Sequence, residues 1–360
     1  MLTLKQVKLL WFNIPFIALV ITILLGPVHY NNYLIYKQVF WHTIQGKNLY
    51  LHYPLEYFDT NHYGPFFSLI IAPFALLPNE IGVIFWGMAN VSTLYFAITQ
   101  LPISDKSKKL ILLISLIETL TAIQNEQVNP FIAACIILSY ILIKKDKPFF
   151  ASALIIAGAM IKLYPIVGIA FIFFSKNRLR FLSYCFLWIV LFLILPMFIS
   201  NFDFIIHSYQ NWYHSIIDKN AINIRSYLND GMQDISLIGF TRRVTGQYEL
   251  SSIYFLLPAA LFSLLPLFRV DQLANRSFQL TYLAQILIGV VIFSSSAESS
   301  TYVIAVSGFA IWYAIQSPKP SIGINLLLLI VFVLTILSPT DLFPTYLREK
   351  YVIKYALKSL

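Results

Sequence analysis

Polar residues interrupt long apolar stretches at two places where they could bind a phosphate or a hydroxyl group. Lys162 stands in IKLYP at the end of an apolar run, and its ammonium could hold a lipid phosphate as a point charge. Glu126, Gln127 and Asn129 belong to NEQVNP, which separates two other apolar runs. Because polar groups at membrane depth are costly, these residues are candidates for a functional site. The alternative for Lys162 is a lysine whose ammonium extends to the membrane surface.

Two longer polar segments, 28–80 and 201–250, have a composition that suits carbohydrate and lipid headgroups. Both combine Tyr, Trp, His, Asn and Gln with few charges, and aromatic faces and amides suit sugar rings at a membrane surface. They contain all six histidines: His29, His42, His52, His62, His207 and His214. The alternatives are an aromatic belt without a ligand and a simple exclusion of histidine from lipid.

The composition restricts the class of protein that can carry these residues. Of 360 residues, 58% are apolar and only 11% are charged, whereas a soluble domain has about 25% charged residues. The mean hydropathy of +0.73 points the same way. This composition excludes a soluble globular enzyme and a nucleic-acid-binding protein. It predicts an all-α polytopic membrane protein, in which the net charge of +9 reflects basic loops on the cytoplasmic side.

Apolar runs define the predicted spans, since a spanning helix needs about 20 mostly apolar residues. The sequence predicts about 11 spans (about 10 to 13), and the runs lie at 8–27, 82–100, 110–124, 131–143, 149–162, 164–174, 181–200, 252–268, 278–295, 300–316 and 321–338. Basic residues in alternate connections place those connections inside: Lys5, Lys8, Lys106, Lys108, Lys109, Lys144, Lys145, Lys147, Lys176, Arg178, Arg180, Arg269, Arg276 and Lys319. The segments 28–80 and 201–250 are therefore predicted to be outer loops.

The segment 64–79 tests this topology, because it is apolar enough to cross but would invert every later loop. We interpret it as an interfacial or re-entrant helix whose length is limited by Pro73 and Pro78. The chain is predicted to form one integral membrane domain over residues 1–360, with an amphipathic tail at 339–360. This tail is expected to lie on the membrane interface or, as the alternative, to lead into a further span. Cys135 and Cys185 fall inside apolar runs and give no disulfide framework or zinc spacing.

Common catalytic and nucleotide-binding signatures are missing from the sequence. It contains no Walker lysine loop, dinucleotide glycine pattern, HExxH, GxSxG or DxD pair. No cofactor is predicted, and no acid cluster has clear metal-ligand spacing, although a divalent metal is not excluded. An enzyme that works outside the membrane has no nucleotide sugar available, so its donor would have to arrive through the bilayer.

Four ordered sequence blocks resemble glycosyltransferase family 87, a branch of the glycosyltransferase-C superfamily. HYGPFFSLIIAPFALLPNEIGVIFWGMAN resembles the family's Y-x-P…aPfalLP…W…N block, and IKLYP resembles its K-x-x-P element. NEQVNP is similar to its GQxN element, with Glu126 in place of glycine. GMQDISLIGFTRR is similar to its N-Q-S-l-x-g-x-x-R element. Together these blocks extend over about two-thirds of the chain, so the resemblance is stronger than any single motif.

The resemblance implies a glycosyltransferase-C-like bundle whose two long outer loops carry interfacial helices. It implies a polyprenyl-phosphate sugar donor, often of mannose, and a glycolipid or glycan acceptor. A carboxylate in the first outer loop would act as the general base, with inversion at the anomeric carbon. It also implies a bacterial inner-membrane protein with its active site facing the periplasm.

The chain departs from the family pattern at its expected base. Most members carry Asp soon after the first span, but Asn32 occupies that position here, and an amide cannot act as a base. We expect Asp59 to be the relocated base and Glu298 to be the second candidate. The alternative for Asp59 is a cap on the helix that follows it.

The remaining expected roles follow from the matched elements. Lys162, Arg242 and Arg243 are expected to bind the donor phosphate. The sugar or the acceptor is expected to contact Asn32, His62, Tyr63, Glu126, Gln127, Asn129, Gln233 and Asp234. Two other functions stay open, namely a non-catalytic scaffold, which Asn32 favours, and a carrier of lipid-linked glycans in envelope glycan assembly.

Overall fold

A computed structural model describes residues 2–225, 231–316 and 320–360. Every regular element within these ranges is a helix, which confirms the predicted all-α class. Lys319, one of the basic residues used to predict the topology, lies outside the described residues.

The α-helices follow the predicted apolar runs closely. In chain order they are α1 (Leu4–Leu25), α2 (Asn31–Gln45), α3 (Phe67–Ala75), α4 (Asn79–Thr99), α5 (Asp105–Gln124), α6 (Asn129–Lys144), α7 (Pro148–Ile161), α8 (Arg178–Ile194), α9 (Phe202–Ile224), α10 (Leu237–Thr245), α11 (Ile253–Leu264), α12 (Arg276–Ile292), α13 (Tyr302–Ala314), α14 (Ile322–Val331) and α15 (Thr345–Leu347). Tyr164–Phe174 forms a 3₁₀ helix, and Phe332–Leu337 and Arg348–Ile353 form π-helical segments. Both predicted outer loops contain helices: α2 and α3 in the first, and α9 and α10 in the second.

The chain forms two compact units. The first contains Met1–Pro102 and Ala122–Lys219, and the second contains Ile103–Thr121 and Asn220–Leu360. The single membrane domain over residues 1–360 stays a prediction.

Three helices among the described residues are long and apolar enough to cross a membrane: Leu4–Leu25, Asn79–Thr99 and Arg178–Phe198. Other predicted spans are shorter apolar helices. Pro148–Ile161, for example, has 14 residues and is about 21 Å long at 1.5 Å per residue. That length is less than a hydrocarbon core of about 30 Å. The helix ends here because Pro165 follows closely and the backbone of Lys162 is extended.

The ambiguous segment 64–79 folds into the nine-residue helix α3. At 1.5 Å per residue, α3 is about 14 Å long and cannot cross a bilayer alone. This length agrees with the prediction of a helix that does not span. Pro73 lies inside α3, and α4 begins directly after Pro78.

Close packing in the first unit holds the start of the first outer loop in place. Helix α4 packs against α1 and α6, and α2 packs against α3. The Tyr33 hydroxyl of α2 donates a hydrogen bond to the carbonyl of Phe74, at 2.8 Å. Gly82 permits this contact, since a Cβ there would lie only 1.7 Å from the Tyr33 hydroxyl oxygen. These contacts position α2 against α3 and the start of α4.

In the second unit, the end of the tail is buried instead of lying wholly on a surface. Lys358 is 2% exposed, and its ammonium contacts both carboxylate oxygens of Glu118 at 2.8 and 2.9 Å. The same ammonium donates to the Ser299 hydroxyl at 3.0 Å. The location of the tail relative to the membrane stays a prediction. Burial of this charge is tolerated because Glu118 neutralises it.

Candidate functional site

In the first unit, two tyrosines connect the first outer loop to the turn that carries NEQVNP. The hydroxyls of Tyr36 and Tyr63 lie 2.9 Å apart, and the Tyr63 hydroxyl donates to Gln127 Oε1 at 2.9 Å. The Tyr63 ring stacks on Phe67 with 4.7 Å between the centroids. Two predicted site residues, Tyr63 and Gln127, are therefore in contact. Tyr36 was not anticipated, because its sequence context resembles any other aromatic position.

Side chains from α2 and α4 fix the NEQVNP turn through its main chain. Asn32 Nδ2 donates to the carbonyl of Asn125 at 3.0 Å, and Trp86 Nε1 donates to the carbonyl of Glu126 at 2.7 Å. The Glu126 backbone adopts a left-handed conformation with φ of +47°. The residue at the family's base position thus binds the turn as an amide. Trp86 was missed as a site residue, although a buried indole usually needs an acceptor for its N–H.

The Glu126 side chain is buried at 2% exposure. Within the described ranges, its Oε1 has no hydrogen-bond partner. Burial raises the pKa of Glu126 to about 9, and a hydrogen bond from the Asn32 backbone amide opposes that rise. The carboxyl group is therefore protonated at neutral pH, and it can donate as well as accept a hydrogen bond.

Lys162 and Asn129 are brought together by the end of α7 and the start of α6. Lys162 Nζ donates to Asn129 Oδ1 at 3.1 Å and lies 5.3 Å from the centroid of the Tyr164 ring. Asn129 is fully buried. The Asn129 amide and the Tyr164 ring are uncharged groups that orient the ammonium. This arrangement suits an anion such as a phosphate.

Asp59 lies on the surface of the first loop. Its backbone is left-handed, with φ of +68°, and its Oδ1 accepts a hydrogen bond from the Thr60 amide at 2.8 Å. Helix α3 has Phe66 at its N-cap position and no side-chain cap. The alternative that Asp59 caps the following helix is therefore wrong. Its role as a base stays a prediction.

His62 connects the first loop to α9 in the same unit. Its Nδ1 lies 2.9 Å from the Ser215 hydroxyl, and its backbone carbonyl accepts from Trp212 Nε1 at 3.0 Å. Burial lowers the pKa of His62 to about 4; Lys219 and Lys162 add to this shift, and Asp59 opposes it. The imidazole is therefore neutral at physiological pH and contributes a hydrogen-bonding group to the loop instead of a charge.

The second unit holds a buried ion pair at the start of α10. Arg242 Nη1 donates to Asp234 Oδ2 at 2.8 Å, and both side chains are almost fully buried. Ser236 donates to Asp234 Oδ1 at 2.7 Å. Two residues expected to contact different parts of the ligands thus contact each other. The role of Arg242 in phosphate binding and that of Asp234 in sugar binding stay predictions.

Arg243 and Glu298 also have partners inside the second unit. The guanidinium of Arg243 donates to the carbonyls of Gln233 at 2.6 Å and Ile353 at 2.9 Å. The carboxylate of Glu298 accepts from the backbone of Thr301 in a capping box at the start of a short 3₁₀ helix. The expected roles of Arg243, Gln233 and Glu298 in binding and catalysis stay predictions.

The second unit also contains an apolar cavity of about 710 Å³. Its walls are formed mainly by α11, α12 and α13, with Phe255, Phe262, Ile288, Phe309 and Trp312 among the lining residues. Such a cavity suits a hydrocarbon chain.

Comparison with known families decides the general activity. Residues 61–339 match the family description of glycosyltransferase family 87, which covers most of the chain. The chain belongs to glycosyltransferase family 87. A search of curated proteins finds no significant match. A family 87 protein is a glycosyltransferase, which uses a sugar donor and an acceptor.

The family match begins at residue 61, so it divides the expected site residues. Tyr63, the NEQVNP turn and Lys162 fall inside the matched range. Asn32 and Asp59 precede it. The departure from the expected base pattern, at Asn32 and Asp59, thus lies outside the range in which this family 87 protein matches its family.

Proposed function

We propose that this family 87 glycosyltransferase moves a sugar from a polyprenyl-phosphate donor to a hydroxyl of an acceptor on the outer face of the membrane. The observation that carries the proposal is the Lys162 ammonium held at 3.1 Å from the buried amide of Asn129. Gln127 and Tyr63 add uncharged hydrogen-bonding groups in the same unit. An ammonium beside amides and hydroxyls suits a ligand that joins a phosphate to a sugar.

The donor phosphate is assigned to Lys162, with Arg242 and Arg243 as further cations. A positive charge near the phosphate stabilises the negative charge that develops on the leaving oxygen. The polyprenyl chain requires an apolar environment, and the cavity lined by α11, α12 and α13 supports this part of the proposal.

Asp59 is assigned as the general base, with Glu298 as the second candidate. A carboxylate oxygen can accept the proton of an attacking hydroxyl group. The acceptor oxygen forms a bond to the anomeric carbon while its proton passes to the carboxylate. The bond from the anomeric carbon to the phosphate oxygen breaks, and its electron pair leaves with the lipid phosphate. Attack from the opposite face inverts the anomeric centre.

The sugar is assigned as mannose, and the acceptor as a glycolipid or a glycan. Residues that can bind hydroxyls in either ligand are Asn32, His62, Tyr63, Glu126, Gln127, Asn129, Gln233 and Asp234. We assign the protein about 11 membrane spans in a bacterial inner membrane, with the transfer site facing the periplasm. The three long apolar helices support a membrane location.

The proposal is tested with a radiolabelled short-chain polyprenyl-phosphate mannose, a glycolipid acceptor and the purified protein in detergent. We expect the intact protein to consume the donor and Asp59→Asn to bind it with transfer reduced by at least about 100-fold, since general base catalysis contributes about 10²–10⁴-fold. Unchanged transfer by Asp59→Asn would remove Asp59 from the mechanism. If both forms bind the donor and neither transfers the sugar, the protein is a non-catalytic scaffold, which is the function that Asn32 favours. Absence of binding in both would reject the donor class.

A further inference from the structure

The backbone at Glu126 is in a conformation that its side chain does not favour. Its φ of +47° is left-handed, and the other described non-glycine residues with positive φ are Asp59, Asp146, Asp234 and Ala356. Aspartate tolerates this region because its short polar side chain can bond locally, whereas glutamate has no such advantage. Left-handed non-glycine residues persist only where their surroundings impose them, and they cluster at functional sites.

Hydrogen bonds from three directions impose this conformation. The Glu126 amide donates to the carbonyl of Ile123 at 3.0 Å, and the Gln127 amide donates to that of Ala122 at 2.9 Å. Trp86 binds the Glu126 carbonyl at 2.7 Å. The main chain of the turn is thus satisfied, and it fixes where the Glu126 side chain begins.

The Glu126 carboxyl group is a second unfavourable feature at the same residue. The side chain is 2% exposed, and Oε1 has no hydrogen-bond partner among residues 2–225, 231–316 and 320–360. A buried polar atom without a partner destabilises the folded protein. The protein therefore tolerates both a strained backbone and an unsatisfied oxygen at one position, which is expected where a ligand completes the site.

The neighbours of Glu126 indicate which part of the ligand this oxygen would meet. Gln124 and Asn125, directly before it, are exposed, so the turn lies at the protein surface. Gln127, directly after it, bonds to the Tyr63 hydroxyl. These uncharged groups match the hydroxyls of a sugar, whereas the cation suited to a phosphate is Lys162, held by Asn129.

We propose that Glu126 is a specificity-determining residue for the donor sugar, and that Oε1 of its carboxylic acid group forms a hydrogen bond with a sugar hydroxyl. The burial that keeps this acid protonated supports the assignment, because a neutral acid beside the donor phosphate avoids charge repulsion. This inference rests on the proposed function and narrows it, since it assigns Glu126 to the sugar and not to the phosphate or the acceptor.

The test compares two probes on the full-length protein in detergent: a short-chain polyprenyl-phosphate mannose and the same polyprenyl phosphate without the sugar. Glu126→Leu removes the hydrogen bond at similar size. We expect it to weaken binding of the sugar-bearing probe by about 10-fold or more, as expected for one buried hydrogen bond, and to leave binding of the bare phosphate within about two-fold. Glu126→Gln keeps a donor and an acceptor, so its affinity for the sugar-bearing probe should stay within about three-fold.

Two measurements separate this role from a structural one. Glu126→Leu should unfold near the wild-type temperature, since removal of the unsatisfied oxygen offsets loss of the hydrogen bond from the Asn32 amide. If Glu126→Leu fails to fold, Glu126→Gly serves instead, because glycine relieves the left-handed strain and also removes the carboxyl group. Glu56→Gln is the matched control: Glu56 is an acid of the same unit that already contacts His42 at 2.7 Å, and its loss should leave both affinities unchanged.

The outcomes that overturn the inference are distinct. Equal weakening of both probes would move the contact to the phosphate, and unchanged affinity for the sugar-bearing probe would remove Glu126 from donor recognition. Failure of the wild-type protein to bind either probe would reject the proposed function and this inference with it.

Discussion

Two buried acids, Glu126 in the first unit and Asp234 in the second, have nearly the same backbone setting and opposite side-chain surroundings. Each is 2% exposed, each has a left-handed backbone, and each lies in a turn shortly before a helix. Asp234 contacts Arg242 at 2.8 Å and Ser236 at 2.7 Å. Glu126 Oε1 has no such partner in the described part of the chain. The same kind of turn thus serves the fold at Asp234, whereas at Glu126 it leaves a polar atom available for a ligand.

The electrostatics of the two turns follow from these partners. Burial raises the pKa of Asp234 above its ordinary value, and Ser236 and Arg242 oppose the rise. The Arg242 guanidinium favours the charged form of the Asp234 carboxyl group, and the two side chains form an ion pair at 2.8 Å. Burial also raises the pKa of Glu126, where the Asn32 backbone amide is the opposing group. Asp234 thus neutralises a buried cation, whereas Glu126 is a neutral acid.

Removal of the cation from the paired turn should have the largest effect. Arg242→Leu leaves Asp234 buried without its ionic partner, so we expect the free energy of unfolding to fall by about 3–5 kcal/mol. Thermal unfolding in detergent measures the loss. The double variant Arg242→Leu with Asp234→Leu should recover part of it, because no lone charge remains. An unchanged unfolding temperature in Arg242→Leu would show that the ion pair does not stabilise the Asp234 turn. The two turns would then not differ in this respect.

The pH dependence of stability should be the next largest effect, and it should be specific to Glu126. The folded pKa of about 9 lies above the ordinary glutamate value of 4.5, so the folded state binds more protons and stability falls as pH rises between these values. Glu126→Gln carries no proton to lose. Relative to wild type, its free energy of unfolding should gain about 2–3 kcal/mol between pH 6 and pH 8. Parallel unfolding curves over that range would show that Glu126 is already ionised.

The smallest expected effect concerns the indole that holds the unpaired turn. Trp86→Phe removes the hydrogen bond to the Glu126 carbonyl and keeps an aromatic ring, so it should lower the free energy of unfolding by about 1 kcal/mol. The same substitution at Trp188, which donates to the Phe149 carbonyl at 2.9 Å, is a matched control for stability. Sugar-bearing donor should bind less tightly to Trp86→Phe than to Trp188→Phe. Equal donor affinity in both would show that the turn keeps its shape without Trp86.

Local patterns predicted much of the fold and part of the candidate site. The apolar runs predicted helices near their observed positions, and the run at 149–162 corresponds to α7. NEQVNP and IKLYP were recognised as polar interruptions, and Asn129 and Lys162 from them are in contact. These features depend on residues close in sequence, where periodicity and chain-breaking residues are informative.

Pairings between distant or uniformly polar residues could not be predicted. Glu118 and Lys358 are 240 residues apart, so the sequence does not indicate that they form a buried ion pair. Asp234 and Arg242 lie in a polar segment that contains other charged and polar residues. The sequence therefore does not indicate that these two form an ion pair. The exposed Asp59 looked like a helix cap because α3 follows, but its hydrogen bond goes to Thr60.

The indole contacts have a practical consequence for optical work. Two of the six tryptophans donate hydrogen bonds to backbone carbonyls of the candidate site, Trp86 to Glu126 and Trp212 to His62. Indole emission responds to the electric field and hydration at the ring, so a sugar or phosphate that settles nearby shifts the emission of these side chains. The intrinsic fluorescence of these two tryptophans is thus a probe of ligand binding at the candidate site, and ligands can be titrated without a label.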